Sequence, residues 1–469
     1  MVNARTVQLA LLFGSRLVQT IMRTALGPLI GNICDEMSCG PLTKGSLLSA
    51  FSLGYVTTQL AGGVLADKIG SKAVILIATV LAGLLTMASA WAGSVGAMWW
   101  AQVLMGAAQG PLFPTSMAYL TGWCPPDERA FASSLLDAGI TVGSLVSLPF
   151  SGRLAATFGW RATLCVWGVA SLAFGALWAA LACADPAMCW YMRRAEREYL
   201  KSVVPKRAAA AVSATGTKSG GWRESAALLC EPALLAIFGS HCAFNLGVYF
   251  VTTWSPTYYK EVLGLAPEAL SSVVALSCPP LVNLGVKLFV TRPAEAALRH
   301  GRGFSTLRCR RFFSGVGFVG GAAAMLLVQP AAALGGPWLA TACFTAAISF
   351  AALHPSGFKA NYLDAVSPAK AGLVSGFGNT LASCASFAGP LGVSALLSST
   401  GSWTVVFVGI GGTNLAAAAL FCTLSTATPL DERRAKSEGC VEGGEGGNPG
   451  RGSNIPISRS GGSVMQKDL

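Results

Sequence analysis

Charge is what this chain has least of. Asp, Glu, Lys and Arg together make up 12% of its 469 residues, about half the share of a soluble globular domain. Acidic residues are the scarcer sign, 21 against 33 Lys and Arg, and there are three histidines. Polar surface is short as well, because 53% of the residues are hydrophobic and the mean hydropathy is +0.56. These shortages exclude an ordinary soluble domain. The 14 cysteines include no CxxC pair and no zinc spacing, so no metal site is expected and most read as small residues of the apolar interior. A nucleophile elbow, a phosphate loop and clustered metal ligands are all missing, which argues against an enzyme and against a cofactor. The net charge of +12 does not point to nucleic acid, because the basic residues lie in short runs between apolar segments.

What is present is a series of apolar stretches, each about 20 residues long and able to cross roughly 30 Å of hydrocarbon. Twelve spans are predicted, near 7–30, 44–66, 73–92, 96–120, 131–152, 161–184, 233–256, 268–291, 312–330, 337–358, 371–397 and 403–426. The first is too long to be the apolar core of a cleavable signal. Six spans, a basic connector over 185–232 and six more spans predict two parallel six-helix halves built from three-helix inverted repeats. The expected fold class is therefore an all-α, polytopic membrane protein, with halves at 1–184 and 233–426. In the connector "MRRAEREYLKS" reads as a surface helix and "KRAAAAVSATGTKSGG" as low-complexity linker. The Gly/Ser-rich tail, 427–469, is expected to be disordered. With the N-terminus inside, inward loops hold nineteen Lys and Arg. Outward loops hold four: Lys44, Arg153, Arg161 and Lys260. This bias predicts that both termini are cytoplasmic. Cys34 and Cys39 share one outward loop and can pair if it faces an oxidising space.

Polar side chains inside spans are costly unless they face a cavity or a partner. Arg16 and Arg23 lie on nearly one face of the first span, about 10 Å apart along the axis, with no acid between them. Arg23 is deep, and two readings stand: it binds an anion, or it hydrogen-bonds backbone carbonyls. Arg16 either snorkels to the membrane edge or lines an inner vestibule. Asp137 is either a counter-ion or titrating carboxylate for ion coupling, or a helix-end residue. Lys287 is expected to snorkel, its predicted span ending four residues later. Lys359 faces either the cytoplasm or the cavity. His241 and Asn245 share a helix face. Tyr55, Tyr249, Trp254 and Tyr258 are candidates to line a pathway, or aromatics of the membrane interface.

The second span ends in "GGVLADKIGSK", which places Gly63, Asp67, Lys68, Gly70 and Lys72 in a tight turn between two spans. An aspartate there can meet a helix N-terminus in one conformation and release it in another. This pattern and the twelve-span layout resemble the major facilitator superfamily. Further segments narrow the resemblance: "GYVTTQLAGGVLADKIGSK", "GWCPPDERAFASSLLDAGITVGSL", "FGW", "HCAFNLGVYFVTTWSPTYYKEVLG" and "NYLDAVSPAKAGLVSGFGNTLAS" look like its anion/cation symporter family, over residues 10–426. That family includes sodium–phosphate, sialic-acid, vesicular glutamate and plastid phosphate carriers. The resemblance implies a central site reached alternately from each side, a small anionic solute as cargo and sodium or protons as the driving ion. It makes Arg23 the family's first-helix arginine, and Asp67, Glu128 and Arg129 members of its cytoplasmic gating motifs. Asn361, Asp364, Pro368, Gly372, Gly376 and Asn379 match its eleventh-helix pattern. Departures are also present. Met22 stands where an acid or amide is usual. Gln102 and Gln109 replace the arginine and glutamate of helix four, so the usual proton carrier there is missing. Ser49 stands at a histidine position, and Glu295 replaces the aspartate in the second half's copy of the loop motif.

The expected function is secondary active transport of an anion, by a monomer in the lipid bilayer, with Arg23, Arg16, Tyr55, His241, Asn245 and Tyr249 as substrate-binding candidates. A carrier for a neutral solute is disfavoured by the unpaired arginines. A non-transporting sensor of the same fold is the alternative from another class.

Overall fold

The computed structural model describes residues 3–59, 61–125, 128–203, 222–266 and 269–433, which form helices and turns with no strand among them. Among these described residues, seven segments are long and apolar enough to cross a membrane, and two of them, Ala132–Leu181 and Thr306–Asp364, double back. The first turns at Gly159, where φ is 82° and a side chain would be strained. Trp167 Nε1 donates to Ser151 Oγ at 2.9 Å, two residues placed symmetrically about that glycine, so the sixth span returns along the fifth. The second turns at Gly335–Gly336, and Gly320 then faces the ring of Phe350. Three more crossings are interrupted or less apolar: Ala4–Met37, Pro41–Gln59 continued by Ala61–Ile69, and Val95–Gln109 continued by Leu112–Trp123. The result is the expected twelve spans. The others are Ser71–Ala90, Pro232–Glu261, Leu270–Gly301, Pro368–Thr400 and Trp403–Leu424.

The eighth span is the clearest departure from the expected boundaries. It continues past residue 291 to Gly301 through two π-helical pieces, Val286–Thr291 and Ala297–Gly301, which flank Arg292–Ala296. The wider π winding changes the hydrogen-bond register, and so accommodates Pro293, which has no N–H to donate. In the connector, Arg194–Val203 is helical, and its Glu196 carboxylate accepts from the Ala4 and Arg5 N–H groups at 3.1 and 2.9 Å. A carboxylate there meets the positive end of the first span's dipole. The tail beyond residue 433 and the linker over 204–221 lie outside the described residues.

Spans 2 and 11 pack together, as do spans 5 and 8, while span 1 meets span 7 between these two seams. On the face away from the termini a single apolar core crosses both halves, with Leu29, Leu47, Trp254, Tyr258 and Phe407 in it. Toward the termini each half keeps a core of its own: Leu12, Trp123 and Trp178 in the first, Phe238, Phe358 and Phe421 in the second. The halves are thus knitted together at one end and separately packed at the other.

Candidate functional site

Span 5 reaches span 1 through two small residues. A Cβ at Gly139 would stand 2.7 Å from the Phe13 carbonyl oxygen, and one at Gly143 would stand 2.6 Å from that of Leu17. Glycines four apart on one face let two helix backbones approach this closely. Ser147 Oγ extends the same contact by donating to the Ile21 carbonyl at 2.9 Å. Span 1 also meets span 7, where a Cβ at Gly27 would stand 2.9 Å from the Thr252 carbonyl oxygen, so span 1 lies at the centre, between the halves.

Arg23 lies at that centre, half-buried. Its guanidinium carbon is 5.0 Å from the centre of the Phe51 ring, 5.3 Å from Tyr55 and 4.4 Å from Tyr249. Phe51 and Tyr55 belong to the first half and Tyr249 to the second. The cation is therefore held at the seam by the negative faces of three rings. Among the described residues it makes no ion pair.

Arg16 is buried rather than at the membrane edge. It donates to Gln19 Oε1 and lies 5.5 Å from the Phe113 ring centre, while its Nε has no partner among the described residues. Gln109 is fully buried, and neither atom of its side-chain amide is hydrogen-bonded among those residues. Its backbone oxygen accepts from Gln19 Nε2 at 3.4 Å. Gln102 donates to Ser89 Oγ at 3.4 Å. Buried polar atoms without a protein partner call for a water or another ligand, and Arg16 Nε and the Gln109 amide are two such groups on the terminus side of Arg23.

Asp137 lies close enough to Arg16, Lys287 and Lys359 to act on each electrostatically. Lys287 does not snorkel. It lies near the middle of the helical segment Leu270–Gly301, and its Nζ is turned into the seam, where it donates to Thr141 Oγ1 of the first half at 3.3 Å. Lys359 turns inward, 4.1 Å from the Phe244 ring centre. His241 and Asn245 face other partners. His241 Nδ1 is 3.1 Å from Tyr362 Oη, and Asn245 Nδ2 donates to the Ala382 carbonyl at 2.9 Å and to Ser386 Oγ at 3.2 Å. The structure thus gathers Arg23, Tyr55 and Tyr249, keeps Arg16 and Asp137 beside them, and ties His241 and Asn245 into the second half. Trp254 and Tyr258 belong to the apolar core away from the termini.

In the loop motif, Gly70 has φ 85°, Lys68 is exposed, and Lys72 Nζ donates to the Ala179 carbonyl at 3.2 Å. The side chains of Asp67 and Arg129 and the surroundings of Gly63 lie outside what is described. Glu128 pairs with Arg5 at 3.0 Å. In the second half Arg310 is buried between Glu295, at 2.8 Å, and Asp364, at 2.7 Å, and also donates to the Ser356 carbonyl. Asn361 Nδ2 donates to the Thr426 carbonyl at 2.8 Å. On the opposite face Lys260 pairs with Asp35 at 3.3 Å and Lys44 with Glu261 at 2.6 Å, both joining one half to the other. Glu36, past the apolar stretch of span 1, accepts from Arg161 at 2.6 Å and Trp160 at 2.7 Å. The Arg161 hydrogen bond and then that of Trp160 hold its carboxyl below the usual carboxylate range. Cys34 and Cys39 are both free thiols.

The family model of the Major Facilitator Superfamily matches residues 12–390. Sialin from Ovis aries is 30% identical over 385 residues, covering 81% of this chain and 74% of that protein. The chain belongs to the major facilitator superfamily, within its anion/cation symporter family. The Arabidopsis thaliana sodium-dependent phosphate transport protein 1, chloroplastic, is 28% identical over 408 residues, 86% of this chain and 75% of that protein. A crystal structure of the peptide transporter POT in complex with sulfate superposes with a TM-score of 0.67 at 15% identity, over 88% of this chain and 93% of that one, which shows the shared fold. Membership makes this chain a membrane carrier rather than an enzyme.

Two features of the site escape sequence reasoning. Phe51 is not singled out by it, although it lies four residues before Tyr55 on the same helix face, a spacing that predicts a shared surface. Lys287 is misplaced by it, because its partner, Thr141, lies in the other half of the chain.

Proposed function

We propose that this protein is a secondary active transporter of a small anion, inorganic phosphate or an organic carboxylate, coupled to sodium or protons. One observation carries the reading: a guanidinium at the seam of the two halves, caged by rings from both, with no carboxylate paired to it among the described residues. A permanent cation in that position favours an anionic cargo, because burying it unpaired costs several kcal/mol that a bound anion offsets. The names of the relatives, sialin and a phosphate transport protein, agree with such a cargo.

In this reading the halves rock about the Arg23 site, and the protein acts as a monomer with both termini in the cytoplasm. Arg23 holds the anion, and Tyr55 and Tyr249 close on it from opposite halves. Arg16 draws the anion inward from the terminus side. His241 and Asn245 shape the second half's wall. Asp137 is the coupling carboxylate, taking the place of the glutamate that Gln109 replaces. Gly63, Asp67, Lys68, Gly70, Lys72, Glu128 and Arg129 gate the cytoplasmic side, and the ion pairs of Lys260 and Lys44 latch the other.

The test is uptake into proteoliposomes of phosphate and a panel of carboxylates under imposed sodium and proton gradients. Wild-type protein accumulates at least one anion, and Arg23→Met abolishes uptake while inserting normally. Uptake at the wild-type rate by Arg23→Met refutes the site. Binding without accumulation by the wild type refutes transport in favour of a sensor.

A further inference from the structure

We propose that Lys287, backed by Lys359, forms a second anion subsite in the seam between the halves, and that the two subsites together select anions carrying two negative charges. The proposal rests on the anion reading above and goes on to assign the valence of the cargo.

A cavity of about 110 Å³ opens between span 5 and spans 7, 8 and 10. Its polar lining comes from both halves: Thr141 and Ser144 from the first, Thr252, Ser255, Asn283 and Lys287 from the second. It has room for several waters, and so for the head of a small oxyanion. This lining holds one positive charge and no acid: the Thr141, Thr252 and Ser255 hydroxyls and the Asn283 amide donate to backbone carbonyls, which leaves the Lys287 ammonium as the charged group that faces the cavity. Lys287 lies in the π-helical piece Val286–Thr291. Such pieces widen a helix and recur at functional sites. The wound segment is pinned by Thr291 Oγ1, which donates to the Val286 and Ala352 carbonyls at 3.1 Å each. Phe244 forms another wall of the cavity and carries the Lys359 ammonium over its ring.

Charge counting then sets the valence. Arg23 with Arg16, and Lys287 with Lys359, make two pairs of cations at the seam, and none of the four makes an ion pair among the described residues. Asp137 is the carboxylate within electrostatic reach of Arg16, Lys287 and Lys359. One carboxylate leaves most of that charge uncompensated at a depth where each unpaired charge is costly. A singly charged cargo on Arg23 leaves the Lys287 end bare. A cargo with a second negative group satisfies both ends.

Matched probes of fixed charge test this on the full-length protein in detergent: sulfate against methyl sulfate, and succinate against succinamate, at equal ionic strength. Binding is read by the shift in thermal unfolding midpoint. The wild type binds the divalent member of each pair about tenfold more tightly, the equivalent of one charge-assisted contact. Lys287→Met removes that preference and Lys287→Arg keeps it. If Lys287→Met does not fold, Lys359→Met carries the same prediction, with a loss of about threefold. Equal binding of both members by the wild type, no binding of any of the four probes, or an undiminished preference in the methionine variant overturns the proposal. Uptake in the same preparation separates this result from the parent reading. A protein that prefers the divalent probes yet accumulates no anion keeps the subsite and loses transport. One that accumulates anions without a valence preference keeps transport and loses the subsite.

Discussion

The two ion pairs on the face away from the termini make a sharp test of how the halves are latched. Lys260 and Glu261 are neighbours at the end of span 7, and each reaches the first half: Lys260 to Asp35 at 3.3 Å, Glu261 to Lys44 at 2.6 Å. Exchanging the neighbours, Lys260→Glu with Glu261→Lys, keeps composition and net charge but sets like charges opposite each other in both pairs. The Asp35 and Lys260 side chains are 75% and 42% exposed, so that pair belongs to the weak surface class. Lys44 is only 13% exposed and its contact is shorter, so that pair lies near the top of the class. Exposed pairs contribute about 0.2–1 kcal/mol each. Losing both and gaining repulsion therefore costs roughly 2 kcal/mol, about a thirtyfold shift toward the state in which this face is open. Spin labels at Leu42 and Leu270, both exposed on this face, report the opening as a longer distance population. Adding Asp35→Lys with Lys44→Glu restores opposite charges and should restore the wild-type distance. High salt should shrink the difference. An unchanged distance distribution in the exchanged protein, or no recovery in the fourfold variant, refutes electrostatic latching and leaves the apolar core as the holding element.

Two further outcomes follow from the ion pairs of the helix ends. Arg310→Met leaves Glu295 and Asp364 facing each other without their shared cation, and should cost about 3–5 kcal/mol in detergent unfolding; a loss below about 1 kcal/mol shows that the network is not structural. The Glu36 carboxyl is held below its ordinary range by Arg161 and Trp160. Its folded value being depressed, the clamp on the end of span 1 is fully present above the unfolded carboxylate value and is lost as pH falls through the folded one. The thermal midpoint should therefore drop below about pH 4 in the wild type, more steeply than in Glu36→Gln; parallel curves for the two proteins remove Glu36 from the acid response.

Twelve crossings, two halves and the basic connector were legible because the bilayer imposes one length on every apolar run. The exceptions to that regularity are what the sequence hides. Gly139 and Gly143 read as two small residues in span 5, and only the partner helix shows that the backbone of span 1 occupies the space their side chains would fill. Arg16 posed two alternatives that differ by a rotamer, and packing chose the interior through Gln19 and Phe113. Lys287 is the most instructive of these. Hydropathy ends its span near residue 291, because Arg292, Pro293 and Glu295 look like a loop. Yet Arg292 donates to Ser134 across the seam at 2.7 Å and Glu295 is paired with Arg310, so both find partners as helical residues. The helix runs on through them to Gly301, and the Lys287 ammonium is directed at Thr141 of the first half rather than at the end of its own span. The direction of one lysine is thus fixed by Thr141, a partner in the other half of the chain that no reading of its own span contains.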